Sequence, residues 1–320
     1  MSAAELLIEN NGIIYQPPLA EGVEWSTERS GTPGKLTFSV LADDTLDIAE
    51  GNAVRFRWNG DNIFYGFIFT IGHGQSGELS ITAYDQLRYL KNKDSYVYED
   101  MTAGQVVSMI ADDFMLQTGE LEDTGYVIAS RTEDNQTLFD IIQNALDDTL
   151  NNTTDLFVLY DDFGKLTLKS ISSMIVPVLI DADTAGSYDY KSSIDSNTYN
   201  RIKLIYDNDD VGEREVYISQ DGSNINHWGV LQYYDTIEAG ENGQAKADAL
   251  LKLYNAKTRN LTVSDAFGDS RVRAGCMIGV QLKLSDVTIQ NLMLVESCKH
   301  TFSLDEHRME IKLRGGEFIV

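Results

Sequence analysis

The chain has 320 residues, with 50 Asp and Glu against 25 Lys and Arg and a formal net charge of -25. That surplus opposes tight binding to phosphate backbones and excludes a nucleic-acid clamp; a solubilising charge and a surface that DNA passes without sticking both stay open. Four prolines, 16 tyrosines, 12 phenylalanines and no low-complexity tract exclude long disordered stretches, and the length suits two or three domains with a sizeable core.

The opening MSAAELLIENNGIIY has no basic region followed by a long apolar run, and no stretch approaches eighteen uninterrupted apolar residues. Synthesis and folding in the cytoplasm are expected. Strands are expected at Glu5 to Ile8, Ile13 to Tyr15 and Lys35 to Val40, with a turn over Ser30-Gly31-Thr32-Pro33-Gly34. Val54, Phe56 and Trp58 then alternate with Arg55 and Arg57, and Asn59-Gly60 marks a hairpin turn. Ile63 to Ile71 is almost continuously apolar, and Leu79, Ile81 and Ala83 alternate with Ser80 and Thr82. The aromatics between Ile63 and Phe69 have no Lys or Arg among them, so that strand reads as a covered central strand and not as a base-stacking platform.

Beyond Tyr84 the period turns helical. Over Met101 to Phe114, Thr102 and Gln105 form a capping-box pair, and Val106, Val107, Ile110 and Phe114 share a face. A second helix is expected from Thr137 to Leu150 with a stripe of Leu138, Ile141, Ile142, Ala145, Leu146 and Leu150. Leu156 to Tyr160, the Asp161-Asp162-Phe163-Gly164 turn and Lys165 to Lys169 make a hairpin. Alternation resumes at Arg201 to Tyr206, Glu215 to Ser219 and Trp228 to Tyr234, and a helix follows from Gly243 to Ala256 with Ala247, Leu250, Leu251 and Tyr254 on its stripe.

The last segment repeats the first three-strand pattern. Ile278, Val280 and Leu282 alternate with Gln281 and Lys283, Asn291 to Val295 is the apolar run, and Met309, Ile311 and Leu313 alternate with Arg308, Glu310 and Lys312. The copies, Gly51 to Tyr84 and Gly275 to Leu313, suggest a pseudo-symmetric assembly part; the plainer reading is that any β-rich chain yields similar hairpins. The organisation is a β-module over 1–90, a small α+β insert over 91–190, and a second β-module over 191–320 with one embedded helix.

Gly72-His73-Gly74-Gln75-Ser76-Gly77 has the letters of a dinucleotide fingerprint, but a strand and not a helix follows it, so a hairpin loop is expected. Asp207-Asn208-Asp209-Asp210-Val211-Gly212 and Asp181-Ala182-Asp183 break the calcium-loop pattern at Val211 and Ala185 and read as acidic turns. Cys298, His300 and His307 lie close together without a second metal-ligating pair, so no metal site is assigned. Cys276 and Cys298 read as buried free thiols, a disulfide between them being the lesser alternative. No nucleophile elbow or zinc-protease helix is present, and the carboxylates fall in turns such as Asp43-Asp44, Asp147-Asp148 and Asp161-Asp162. A hydrolase using two acidic side chains stays open as an alternative. No catalytic or cofactor-binding residue is assigned, and the chain is not expected to be an enzyme.

The stretch AYDQLRYLKNKDSYVYEDMTAGQVVSMIADDF from Ala83 to Phe114 resembles the baseplate hub proteins of contractile phage tails in Gram-positive hosts, as do IDSNTYNRIKLIYDND, HWGVLQYYDTI and DAFGDSRVRAGCMIGVQL. It is also similar to the hub half of the type VI secretion spike and to hubs of contractile bacteriocins. The resemblance implies a mainly β, α+β chain with two tube-type β-barrel or sandwich domains, three copies making a pseudo-sixfold ring. Implied partners are the chain itself as a homotrimer, the tail tube protein, the central spike protein, a tape measure protein and a LysM-containing tail protein, with DNA only as passing cargo and no membrane. Assembly in the bacterial host cytoplasm and residence in the tail baseplate of a virion or phage-like particle follow. Some relatives fuse a lysozyme-like domain or a β-helical spike; here such a part is expected on a separate chain. The polar strand faces, with Arg55, Arg57, Ser80, Thr82, Gln281, Lys283, Glu310 and Lys312, are candidate lumen or subunit surfaces. The alternatives are a tail-associated peptidoglycan hydrolase and a β-sandwich cell-wall-binding module.

Overall fold

Seven strands come from the first 84 residues: β1 (Ala4–Asn10), β2 (Ile13–Tyr15), β3 (Val23–Glu28), β4 (Lys35–Leu41), β5 (Ala53–Trp58), β6 (Asp61–His73) and β7 (Glu78–Tyr84). The computed structural model describes residues 4–315 apart from 21, 43–44, 75–76, 196, 209–212, 238–241, 284–287 and 304–305. The period-two pattern of β5 has its expected cause, since Val54, Phe56 and Trp58 are buried while Arg55 and Arg57 are half-buried. Asn59 and Gly60 both take positive φ, 51° and 91°, the conformation that a two-residue hairpin turn demands. Gly66 is required by close approach: a Cβ there would lie 2.2 Å from the Tyr84 carbonyl oxygen. Strand β3 was not among the expected elements, although Val23, Trp25 and Thr27 alternate with Glu24, Ser26 and Glu28 and the first three are buried.

A short 3-10 helix (Gln86–Lys91) leads into the insert, which contains β8 (Lys93–Thr102), α1 (Ala103–Asp113), β9 (Thr118–Leu121), β10 (Val127–Thr137), α2 (Leu138–Thr153), β11 (Phe157–Asp161) and β12 (Leu166–Ser170). The capping box is present in both directions: the Thr102 hydroxyl accepts from Gln105 N, and the Gln105 side chain accepts from Thr102 N at 2.8 Å. Val106, Val107 and Ile110 of α1 and Leu138, Ile141, Ile142, Ala145 and Leu146 of α2 share one core. Leu150 instead packs against Ile202 and Leu204 of the next layer. The antiparallel ribbon of β8 and β10 is new relative to the sequence reading. Both strands are largely exposed, and few of their residues, Tyr96, Tyr98, Met101 and Ile128 among them, reach the insert core, so only a short apolar alternation marks them.

The remainder comprises β13 (Ile175–Asp181), β14 (Ser187–Ser193), β15 (Arg201–Asn208), β16 (Glu213–Gln220), α3 (Gly222–Trp228), β17 (Gln232–Thr236), α4 (Gly243–Tyr254), β18 (Thr258–Phe267), β19 (Met277–Lys283), β20 (Thr288–Ser303) and β21 (Glu306–Gly315). Residue 190, the expected end of the insert, lies inside β14, which pairs with β18, while β13 pairs with β19. Strands β15, β16 and β17 form a separate sheet covered by α4, with Ile202, Leu204, Ala247, Leu250 and Leu253 between them. The strand expected to begin at Trp228 begins at Gln232, because Asp221 accepts from Ser223 N and Asn224 N and so starts α3, a second helix here.

The main sheet has 13 strands, in the order β14-β18-β21-β20-β3-β4-β7-β6-β5-β1-β2, with β13 and β19 joined through β20. Split between β20 and β3, it is two six-stranded units of one order, β3-β4-β7-β6-β5-β1 and β14-β18-β21-β20-β19-β13, with β2 added beside β1. The match extends to backbone detail. Strand β6 bulges between Ile68 and Thr70 opposite β7, and β20 bulges between Val295 and Ser297 opposite β21. Gly51 and Gly275 precede the equivalent strands β5 and β19 with φ of 89° and 92°. Each donates its N–H at 2.8 Å to the residue before the bulge, Ile68 and Val295 respectively. One asymmetry remains: β1 runs antiparallel to β5, whereas β13 runs parallel to β19.

Candidate assembly surface

The two units join where residues 297–302 of β20 pair antiparallel with β3, from Ser297 opposite Glu28 to Phe302 opposite Val23. This seam makes one polar face continuous across both. One row runs Arg308, Thr301, Glu24, Thr37, Thr82 and Thr70, and the next Glu310, Lys299, Ser26, Lys35 and Tyr84. A third contains Asp189, Thr262, Lys312, Ser297 and Glu28. Ser80, Thr82, Glu310 and Lys312 therefore lie on one face, and a shallow depression lined by Glu24, Thr37, Ser39, Ser80, Thr82 and Thr301 opens on it. Cations and carboxylates alternate there, with Lys299 bonded to Glu24 at 3.0 Å. The chain's acid excess is concentrated elsewhere: residues 91–170 hold 16 Asp and Glu against five Lys and Arg.

The other four candidates are set apart. Arg55 and Arg57 pair across to Glu9 and Glu5 of β1 at 3.2 and 3.4 Å. They are separated from Ser80 and Thr82 because the insert packs over β6: Phe163 meets Tyr65, and Tyr89 meets both Phe67 and Phe69. Gln281 is exposed on β19 between Asp181 and Gln290, and Lys283 is exposed at that strand's end.

Below the seam lies a polar joint of all three parts that sequence spacing did not indicate. Asp85 accepts from Gly34 N at 2.9 Å and Leu87 N at 3.0 Å; Asp161 accepts from Gly164 N at 2.6 Å. Burial pushes both carboxyls above their usual range; for Asp85 the neighbouring Asp161 adds to the rise, while Arg273 pulls both back. Arg273, from the second unit, lies 4.1 Å over the Tyr160 ring and donates to the Asp161 carbonyl at 3.0 Å. Glu296 accepts ion pairs from Arg29 and Arg314, both at 2.8 Å. The carboxylate pair is 4% and 6% exposed and committed to backbone amides, which makes it a joint and not an acid-base pair facing a cleft.

Cys298, His300 and His307 do come together. His300 Nε2–H donates to the Val272 carbonyl at 2.8 Å and lies 3.0 Å from Cys298 Sγ, so His300 Nδ1 accepts from His307 at 2.8 Å. Burial lowers His300 to about 3, helped by His307, and burial lowers His307 to about 4, so both are neutral at neutral pH. Trp25 stacks on His300 at 5.0 Å and Phe302 on His307 at 4.2 Å, making the cluster part of the seam's packing. Among the described residues no group of three or more His, Cys, Asp or Glu is arranged to hold a metal ion. Cys276 and Cys298 are free and buried. Asp181 makes a local turn, its side chain accepting from Asp183 N and Thr184 N. Residues 209–212 of the other acidic turn, 43–44 of the Asp43-Asp44 pair, and 75–76 of the glycine-rich loop lie outside the described residues.

A mainly β chain with two such units joined by a seam has the fold of phage-tail and secretion-spike proteins. The 43 kDa tail protein of prophage MuSo2 from Shewanella oneidensis is similar over 99% of this chain and 100% of its own, with a TM-score of 0.68 at 14% identity. Prophage tail protein gp18 from Listeria monocytogenes is similar over 98% and 95%, with a TM-score of 0.64 at 13% identity. An E. coli component of the type VI secretion system, described as structurally similar to T4 tail proteins gp27 and gp5, is similar over 98% of this chain and 78% of its own, with a TM-score of 0.59 at 11% identity. The chain belongs to the YQBQ-like family, whose model matches residues 23–314. It is 31% identical over 303 residues to the phage-like element PBSX protein XkdQ of Bacillus subtilis, covering 92% of this chain and 91% of that one. It is 29% identical over 304 residues, with the same coverage, to the uncharacterised protein YqbQ of that organism.

Proposed function

We propose that the chain is a structural component of a phage or phage-like tail and serves as its baseplate hub. In this role it joins the hexameric tail tube to the trimeric central spike and seeds tube assembly. The observation that carries this reading is the tandem of two six-stranded units with matching strand order, bulge and glycine, since three chains then offer six equivalent modules to a sixfold tube and threefold symmetry to a spike. The tube-type modules are β1 to β7 and β13 with β14 and β18 to β21, and the seam makes them one rigid body. The polar face with Ser80, Thr82, Glu310 and Lys312 lines the channel. Its Ser, Thr and interleaved charges of both signs give translocating DNA no cationic hold. The acidic insert faces away, towards other baseplate parts. Assembly takes place in the host cytoplasm, with a tape measure protein and a LysM-containing tail protein as further neighbours.

The test is co-expression with the tube and spike proteins of the same particle. A complex containing all three, with no lysis band in a cell-wall zymogram, is the expected result. A lysis band from the purified chain would favour a peptidoglycan hydrolase. Retention on cell walls by an isolated chain that binds neither tube nor spike protein would favour a cell-wall-binding module.

A further inference from the structure

Two of the main sheet's open edges are ones for which the internal repeat shows a completing partner. Strand β20 changes partner along its length: up to Leu294 its side opposite β21 is taken by β19, and past the bulge it is taken by β3. Strand β6, its counterpart, is paired with β5 only up to Phe67, so residues 70–73, past the equivalent bulge, have no partner among the described residues on the edge opposite β7. Strand β14, the counterpart of β3, pairs among the described residues only with β18, which leaves its other edge open. Exposure follows these open edges. Val23 and Trp25 of β3 are 1% and 5% exposed, whereas Tyr188, in the place of Val23, is 45% exposed and Tyr190, in the place of Trp25, is half-buried. His300 is buried, whereas its counterpart His73 is exposed.

We propose that β14 of one chain pairs antiparallel with residues 70–74 of a second copy, repeating between chains the β3·β20 pairing found within each. The repeat fixes the register: Thr70 opposite Ser193, Ile71 opposite Ser192, Gly72 opposite Lys191, and His73 opposite Tyr190. His73 then stacks on the neighbour's Tyr190 as His300 stacks on Trp25. At the bulge, Phe69 meets the neighbour's Ile194 where Glu296 and Arg29 pair inside the chain. Both apposed edges are accessible, and pairing removes an open template for uncontrolled strand addition. The contact is head-to-tail, so repeated copies close a ring or run on as a filament. This inference deepens the ring reading above and rests on it for closure at three chains.

The test uses the full chain with two designed cysteine pairs, Thr70→Cys with Ser193→Cys and Ile71→Cys with Ser192→Cys, oxidised and run on non-reducing gels. Adjacent antiparallel positions alternate between about 4.5 and 5.5 Å in Cα separation, both within disulfide reach, and the native thiols are buried. The expected result is disulfide-linked multimers that stop at three chains. The control Thr70→Cys with Asp189→Cys, four positions out of register and so roughly 13 Å apart, stays unlinked. Light scattering on the same samples separates the two possible failures. A three-chain mass without either linkage, or with linkage only in the control, overturns the pairing and leaves the ring standing. A single-chain mass without linkage, both alone and with the spike protein added, overturns both.

Discussion

The two six-stranded units share a backbone plan and a Leu, Ile and Val core, but differ in what fills the rest of it. The first packs aromatic side chains, with Trp25, Phe38, Phe56, Trp58 and Phe64 in its core, while the second packs Cys276, Cys298, Met293 and Met309 among Leu, Ile and Val. Gly66 in β6 makes room for Phe64 and Tyr84; its counterpart in β20 is Met293. What persists is the positive-φ glycine, the N–H it donates across the sheet and the bulge that follows. The comparison teaches that the plan is carried by backbone devices, and that each core has been filled independently around them.

The strongest way to break this comparison is at Phe302, a residue of β20 that fills the core of the other unit beside Phe56 and Trp58. Phe302→Ala is expected to cost about 3–5 kcal/mol in a urea titration. It should lower one common transition; two separated transitions would mean that the units are independent bodies and the seam is weak.

Acid should act on the seam from the second unit's side. The His300 and His307 pKa values are depressed in the fold to about 3 and about 4, so the unfolded chain binds protons first. Their contribution is complete above about pH 6.5 and is lost as pH falls through those values. For His300 alone the loss by pH 4 is about 3 kcal/mol. Unfolding midpoints measured between pH 7 and 4 should fall steeply, and His300→Gln should flatten the profile.

The equivalent glycines offer a sharper comparison. A Cβ on Gly51 meets nothing within 4 Å, whereas one on Gly275 would lie 2.6 Å from Val158. Gly51→Ala should cost about 1 kcal/mol from the strained φ alone, and Gly275→Ala about 3 kcal/mol from strain and clash together. Equal costs would show that the insert does not brace the second unit. The smallest effect is expected at Arg55→Ala and Arg57→Ala, whose ion pairs are half exposed; each should move stability by less than about 0.5 kcal/mol.

Period and turn chemistry made much of the chain legible from sequence. The β5-β6 hairpin, α1 with its capping box, α2, α4 and strands β7, β19 and β21 follow from alternation and helical spacing, whereas β13, β14 and β18 were not picked out. Strand β3 was not picked out: its alternation of Val23, Trp25 and Thr27 with Glu24, Ser26 and Glu28 is short, and its importance lies in a partner some 270 residues away that no local pattern encodes. The β8·β10 ribbon was not picked out, since its inward residues, such as Tyr96, Tyr98 and Ile128, are few and set among exposed polar ones. The candidate face was half legible: alternation identified Ser80, Thr82, Glu310 and Lys312 as outward-facing, but only the seam puts them on one surface. Only the packing of Phe163 and Tyr89 on β6 removes Arg55 and Arg57 from it. The joint of Asp85, Asp161 and Arg273 had no signal, because the residues sit in a loop, at a strand end and in a loop, and the three converge through tertiary packing alone.

The most direct test of the central claim, that a tandem of equivalent units builds a closed ring, is the solution mass of the purified chain by light scattering, alone and with its spike protein. The account predicts the mass of three chains, alone or in the spike complex. A single-chain mass in both conditions would contradict it.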